Sequence, residues 1–269
     1  MILALVFIYG AMIGSFLNVC IYRMPREMSV AKPARSFCPE CQKQIPWYLN
    51  LPLISYLWLR GQCAFCKTKI PLRYFGVELA TALMFVGLWY LSEGSLILFV
   101  MRAVFMSMIM VVIMTDFEMK FIPDLITFPG MALGLFFSLV PGGIFEQSLW
   151  YHRLAQSALG LIGGYGFLFI TALLGNWLFK KESMGGGDLK LMGMMGAFIG
   201  LPKIFYVFML APFIALPFAL WYKYAKKSSE SEEEREQVPF GPFLAFWGAA
   251  FFLYGDVLMN FINQIYGVS

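Results

Sequence analysis

"KESMGGGDLKLMGMMGAFIG", residues 181–200, sets three consecutive glycines and an aspartate at the head of an otherwise apolar run. Gly185, Gly186 and Gly187 weaken a helix, because a residue without a β-carbon loses the most backbone freedom on ordering. Asp188 adds a carboxylate at the edge of that run, and an ionisable side chain at a membrane helix end is a functional signal by default. Longer apolar stretches flank the run, near 155–179 and 203–222. The surroundings are those of a membrane-spanning bundle.

Composition carries that reading to the whole chain. Its 269 residues are 60% hydrophobic and 13% charged, with a mean hydropathy of +0.71. A soluble domain is closer to half apolar, with about a quarter of its residues charged. The chain therefore reads as an all-α polytopic membrane protein. Runs suited to cross a bilayer occur near 1–22, 74–92, 96–115, 124–141, 155–179, 188–201, 203–222 and 240–263. They give about eight transmembrane helices, the sixth of them short and polar at its start. Residues 1–22 lack a basic start and a small-residue cleavage site, so they read as a retained first helix.

Basic residues supply an independent test of topology, since they concentrate on the cytoplasmic side. The loop 23–73 carries nine: Arg23, Arg26, Lys32, Arg35, Lys43, Arg60, Lys67, Lys69 and Arg73. It is therefore expected in the cytoplasm, with later loops alternating. Seventeen of the twenty Lys and Arg then fall inside, leaving Arg102, Arg153 and Lys203 outside. Basic residues that flank spans in this way do not form the continuous stripe that nucleic acid requires. Lipid is the expected environment. The division that follows is a first helix over 1–22, a small cytoplasmic domain over 23–73, and a membrane domain over 74–269. The run "KKSSESEEEREQV", 226–238, reads as a solvated linker. No internal repeat is evident.

The cytoplasmic loop contains "FCPECQKQIPW" (37–47) and "GQCAFCKTKIP" (61–71). Cys38, Cys41, Cys63 and Cys66 thus form two C-x2-C pairs, the spacing with which two tight turns complete a tetrahedral Zn²⁺ site. A reducing cytosol argues against disulfides. A domain of about fifty residues has too little core to hold itself together well, so the metal is expected to be structural. A redox pair or another metal are the alternatives. Cys20 reads as packing within the first helix, and His152, the single histidine, has no evident role.

"MTDFEMKFIPDLITFPG", 114–130, supplies two more carboxylates. Asp116 ends the third span, and Asp124 opens the fourth after Pro123. The charge count places Asp116, Asp124 and Asp188 at one face, the cytoplasmic one. Two carboxylates within reach of each other can share one proton. One then accepts a proton from water while the other donates to the scissile group. Serine or cysteine chemistry lacks a histidine partner, so a hydrolase of these residues is an aspartyl enzyme. The competing reading is that the carboxylates cap helices or sit in headgroup water, and for Asp124 capping weighs as much as catalysis.

The motifs resemble those of the bacterial type IV prepilin leader peptidases. The resemblance rests on "GSFLNVCIYRMP" (14–25), "IPWYLNLPLISYLWLRGQCAFCKTKIPLRYFGVELATAL" (45–83), "DFEMKFIPDLITFPG" (116–130), "MGGGDLKLMGMMGAFIG" (184–200) and "VPFGPFLA" (238–245). One G-x-G-D is weak, but five signatures in order beside a tetracysteine pattern are specific. The resemblance implies an aspartyl protease of the bacterial inner membrane, with Asp116 and Asp188 catalytic and Asp124 supporting. It would cut the basic leader from prepilins or pseudopilins after a glycine, at the cytoplasmic face. It implies, too, methylation of the new amino terminus with S-adenosylmethionine, the domain over 23–73 being the methyltransferase part. No stretch resembles a methyl-donor pocket. Leu49 stands where the family often has an acidic residue, a departure that bears on methylation alone. Glu118 and Glu182 are candidates to attract the basic leader, and ordinary solvated charges are the alternative. Asp188, at a helix amino terminus, is expected to favour the ionised form through the helix dipole and so to be the base. A transporter or a secretion-assembly subunit with a zinc-stabilised domain are the rival readings. A transporter, however, would place its carboxylates near the midplane.

Overall fold

The computed structural model describes residues 1–145, 147–180, 184–225 and 239–266. The charged run 226–238 and Glu182 lie outside the described residues. Among the described residues nine α-helices run in order: α1 Ile2–Arg23, α2 Ile54–Trp58, α3 Leu72–Leu91, α4 Leu96–Met119, α5 Asp124–Ser138, α6 Trp150–Phe179, α7 Gly186–Ile199, α8 Leu201–Ala225 and α9 Gly241–Tyr266. Two isolated bridges, Phe37 with Gln44 and Gln62 with Lys69, are the β pairing among the described residues. All eight expected apolar runs are helical, with ends within a few residues of those read from hydropathy.

Six of these helices are long and apolar enough to cross a bilayer: α1, α3, α4, α6, α8 and α9. The other two are shorter. At 1.5 Å per residue, α5 and α7 extend only about 20–23 Å, less than the ~30 Å hydrocarbon thickness. The chain packs as two compact units, Met1–Val111 and Val112–Ser269.

In the first unit α1 and α3 pack antiparallel through a G-x3-G face. A β-carbon at Gly10 would lie 2.7 Å from Ala82 Cα, and one at Gly14 would lie 2.8 Å from Glu78 Cα. Such small residues let two backbones approach where lipid supplies no hydrophobic drive between helices. One turn further, Asn18 Nδ2 donates to Tyr74 O at 2.9 Å. Beyond α1 the buried Arg23 guanidinium donates to the carbonyls of Ser29, Val30, Pro33 and Arg35, gathering the chain that leads to the first cysteine pair.

In the second unit α7 is the central element and packs against α5, α6, α8 and α9. Leu189 and every residue from Leu191 to Ile199 are buried. A helix that is apolar all round belongs inside a bundle, and α7 needs no full crossing length because other helices enclose it. Its closest neighbour is α6. A β-carbon at Gly196 would fall 2.0 Å from Gly160 O, and one at Gly160 would fall 2.1 Å from Gly196 O. Ser157 Oγ donates to Ala197 O at 2.6 Å across the same contact.

The three cations assigned to the outer side all have partners. Arg102 Nη1 donates to Leu91 O and Ser92 Oγ, at the carboxyl end of α3. Arg153 is buried and donates to the carbonyls of Ser138 and Leu139, at the carboxyl end of α5, and to those of Gln147 and Ser148. Lys203 pairs with Asp256 at 2.9 Å. The arginines satisfy helix-end carbonyls that otherwise lack partners.

Candidate active site and metal centre

Asp116 lies in the last turn of α4. That helix is closed by Lys120, which takes a left-handed φ of 51° and donates its N–H to Asp116 O at 2.9 Å. The chain then turns through buried Ile122 to Pro123, which precedes α5. Ile122 meets the beginnings of two other helices. A β-carbon at Gly187, in α7, would sit 2.9 Å from Ile122 Cβ, and one at Gly241, in α9, would sit 3.0 Å from Ile122 Cδ1. The three glycines of the quoted stretch therefore have different causes. Gly187 is fixed by this close approach. Gly185 and Gly186 are exposed, and a β-carbon at Gly186 would meet nothing within 4 Å.

Asp188 is the third residue of α7, half-buried, with Gly185 as the N-cap. Asp116 is deeper, at 6% exposure. The two side chains are close enough for their charges to repel. Asp116 also faces Gly241, where a β-carbon would lie 2.6 Å from the carboxylate Oδ2. Gly241 is the first residue of α9, where backbone N–H groups have no intrahelical acceptor and the helix dipole favours negative charge. Both carboxylates therefore lie at helix amino termini, and the dipole alone no longer singles out Asp188 as the ionised one. Asp116 Oδ2 is buried and, among the described residues, has no hydrogen-bond partner. Such an orphaned acceptor is suited to a shared proton or a reacting water.

Asp124 opens α5 without capping it by its side chain. Instead both its oxygens accept from Lys190 Nζ, at 2.7 and 2.9 Å, and the ammonium lies over the Phe128 ring. Lys190 is two residues beyond Asp188, so the pair ties the start of α5 to the first turns of α7. Glu118 is exposed on the last turn of α4. His152 is exposed, its ring beside Tyr151. Cys20 is buried within α1.

In the first unit Cys38, Cys41, Cys63 and Cys66 converge, their sulfurs all within 4.8 Å of one another. The Cys38 and Cys66 sulfurs are 3.8 Å apart, close to the ~3.8 Å edge of a tetrahedron with metal–sulfur bonds of about 2.3 Å. The donor set fits a metal ion. The two halves are built alike. Cys38 N–H donates to Lys43 O and Gln42 N–H to Cys38 O; Cys63 N–H donates to Thr68 O and Lys67 N–H to Cys63 O. Gln42 and Lys67, each following the second cysteine of its pair, both have left-handed φ. Ile45 N–H and Ile70 N–H then close each turn on Ser36 O and Gly61 O. Contrary to the expectation of no internal repeat, the sequence contains a short one, C-x2-C-x3-I-P at 38–46 and 63–71. At Cys66 the neighbouring Thr68 hydrogen bonds bring the thiol down to about 6, toward the thiolate that a metal binds.

Comparison with known proteins agrees with these motifs. Residues 8–92 match the model of the bacterial peptidase A24 N-terminal domain, and residues 103–220 match that of the type IV leader peptidase family. A prepilin leader peptidase/N-methyltransferase of Neisseria gonorrhoeae is 31% identical, across 95% of this chain and 92% of its own. The protein of the same name from Vibrio cholerae serotype O1 is 33% identical, across 80% of this chain and 83% of its own. That of Klebsiella pneumoniae is 35% identical, across 72% and 83%. No solved structure matches the chain. By length of match and by shared motifs, the chain belongs to the type IV leader peptidase family.

Proposed function

We propose that this chain is a membrane endopeptidase that removes the leader from type IV prepilins or pseudopilins and then methylates the new amino terminus. Its relatives carry both activities in their names. The catalytic part is supported by the placement of Asp116 beside the amino terminus of α9 and of Asp188 at that of α7, near enough for their charges to repel, and by the buried Asp116 Oδ2, which has no hydrogen-bond partner among the described residues. In the proposed reaction one carboxylate accepts a proton from water as the water oxygen attacks the scissile carbonyl carbon. The other carboxyl donates its proton to the carbonyl oxygen. The tetrahedral intermediate then breaks its C–N bond, and the departing amine takes a proton from the dyad. One peptide bond and one water become a carboxylate and an amine.

The asymmetry of basic residues supports a cytoplasmic position for Asp116 and Asp188, where the basic leader of an inner-membrane prepilin would lie. A cut after a glycine, as the family's activity implies, suits open backbone at Gly185 and Gly186. Zn²⁺ is the ion proposed for Cys38, Cys41, Cys63 and Cys66, where it would supply a structural cross-link. The module over 23–73 is proposed as the methyltransferase part, with S-adenosylmethionine supplying the methyl group. The test is cleavage of a purified prepilin by the reconstituted protein, followed by mass. Leader loss with the unaltered protein and none with either Asp116→Asn or Asp188→Asn is expected. Full cleavage by either variant overturns the dyad, and a one-methyl mass gain on adding S-adenosylmethionine reads the second activity.

A further inference from the structure

The chain between the two cysteine turns has a chemistry that the metal does not explain. Trp47 and Trp58 are 74% and 81% exposed, and Tyr48, Ile54 and Leu57 are exposed with them. Contiguous apolar exposure of this kind marks an interaction surface. The segment is nonetheless firmly built. A 3-10 turn over Trp47–Leu49 leads toward α2, and Ser55 Oγ accepts from Leu51 N–H at 2.9 Å while donating to Tyr48 O.

One side of α2 is fixed to α3. Leu53 N–H donates to Glu78 Oε2 at 2.8 Å. The Tyr56 and Phe75 rings pack with centroids 5.4 Å apart, and the Tyr56 hydroxyl donates to Ile70 O at 3.2 Å. Ser55 is buried, whereas Ile54, Leu57 and Trp58 are exposed. At 100° per residue those three share the face opposite Ser55 and Tyr56. Since α3 starts at Leu72, Phe75 and Glu78 lie only about 5 and 9 Å along a helix that crosses the membrane. The apolar face of α2 therefore sits beside the first turns of α3, the end from which a crossing helix enters the headgroup zone that Trp and Tyr prefer.

Charge points the same way. Residues 23–73 carry nine Lys and Arg but only two acidic residues, Glu27 and Glu40. Arg60 follows α2, and the Arg73 guanidinium lies over the Tyr74 ring at the start of α3. Aromatic side chains beside basic ones are the composition of an interfacial anchor, and basic groups favour anionic lipid.

We propose that residues 47–58 are a membrane-interface anchor, seating the four-cysteine module on phospholipid with anionic headgroups preferred. The test uses the full chain in vesicles of phosphatidylethanolamine and phosphatidylglycerol, with a photo-crosslinking residue placed at Leu57 or, separately, at Trp58. Lipid adducts at both positions, several-fold more abundant than in phosphatidylcholine vesicles, are expected. Adducts only to a second copy of the chain, only to added prepilin, or to nothing overturn the proposal. The unaltered protein gives a second readout that needs no substitution. In nanodiscs, hydroxyl radicals should modify Trp47 and Trp58 several-fold more slowly than free tryptophan. Equal rates overturn the anchor.

Discussion

Gly241 sits against Asp116 so closely that a β-carbon there would lie 2.6 Å from the carboxylate Oδ2. No L side chain fits at that distance. Gly241→Ala must displace either the start of α9 or the Asp116 carboxylate, and overpacking of this kind costs about 1–3 kcal/mol. If the cost falls on the catalytic geometry, kcat for leader removal drops by about ten- to a hundredfold. Steady-state kinetics would show the loss in kcat, with KM for the prepilin little changed. Wild-type kcat in Gly241→Ala would mean that this contact does not position the dyad.

A second prediction separates the two activities. Asp116→Asn and Asp188→Asn each keep a hydrogen-bonding side chain but remove a carboxylate, so neither proton of the cleavage cycle has both a donor and an acceptor. Cleavage should fall by about a hundred- to ten-thousandfold, the range typical of one acid–base group. Methylation of a prepilin supplied already cleaved should persist. A mass assay on the pre-cut substrate checks this, and loss of methylation in both variants would place the methyl transfer at the aspartates.

Lys190 and Asp124 are joined by two short contacts, yet their side chains remain 30% and 55% exposed. Solvent screening leaves a pair like that about 0.2–1 kcal/mol. Asp124→Asn and Lys190→Met should each lower activity only a few-fold. A double-mutant cycle on the denaturation midpoint should give coupling of no more than about 1 kcal/mol. Complete inactivation of Asp124→Asn with Lys190→Met active would instead show Asp124 acting directly on substrate.

Metal removal tests the module over 23–73. Cys63→Ser removes one ligand of four, and over 24–71 the buried hydrophobic residues are Cys38 and Cys63 themselves, so little core is left to replace the cross-link. Metal content should fall from one ion per chain to near zero, with loss of methylation and rapid proteolysis within 23–73. Cobalt substitution of the unaltered protein should give the intense near-ultraviolet charge-transfer bands of four thiolates. Because protons compete with metal for thiolates, retention should weaken as pH falls. A Cys63→Ser protein that keeps its metal and its protease resistance contradicts the assignment.

What was legible in the sequence was whatever local composition encodes. Hydropathy marks all eight apolar helices, C-x2-C spacing marks the four sulfurs, and charge asymmetry gives the expectation that the three aspartates share one face. What escaped was whatever depends on contacts distant in sequence. Nothing in "VPFGPFLA" alone says that Gly241 will lie on Asp116, more than a hundred residues away. The pairing of Asp124 with Lys190 and the carbonyl cage around Arg23 are likewise products of packing. The C-x2-C-x3-I-P repeat is different, because it is local and present in the letters. The short length of α5 and α7 was half visible, since glycines and an aspartate at the head of α7 already argued against an ordinary crossing.

The helix that carries Asp188, α7, is held to α6 by backbone proximity. Its contact with α6 passes through Gly196 and Gly160, where the backbones come so near that either β-carbon would fall within 2.1 Å of the facing carbonyl oxygen. Gly196→Ala or Gly160→Ala must push α7 and α6 apart, a change that overpacks a region without adjustable side chains. Each should destabilise the second unit by about 1–3 kcal/mol, visible as a lower midpoint in thermal denaturation monitored in detergent. The metal centre should be unaffected, because Cys38, Cys41, Cys63 and Cys66 all belong to the first unit. Gly186→Ala is the internal control: a β-carbon there meets nothing within 4 Å, so the midpoint should hold or rise slightly from the lower backbone entropy of the unfolded chain. If Gly186→Ala proves as destabilising as Gly196→Ala, glycine content rather than helix contact sets the stability of α7.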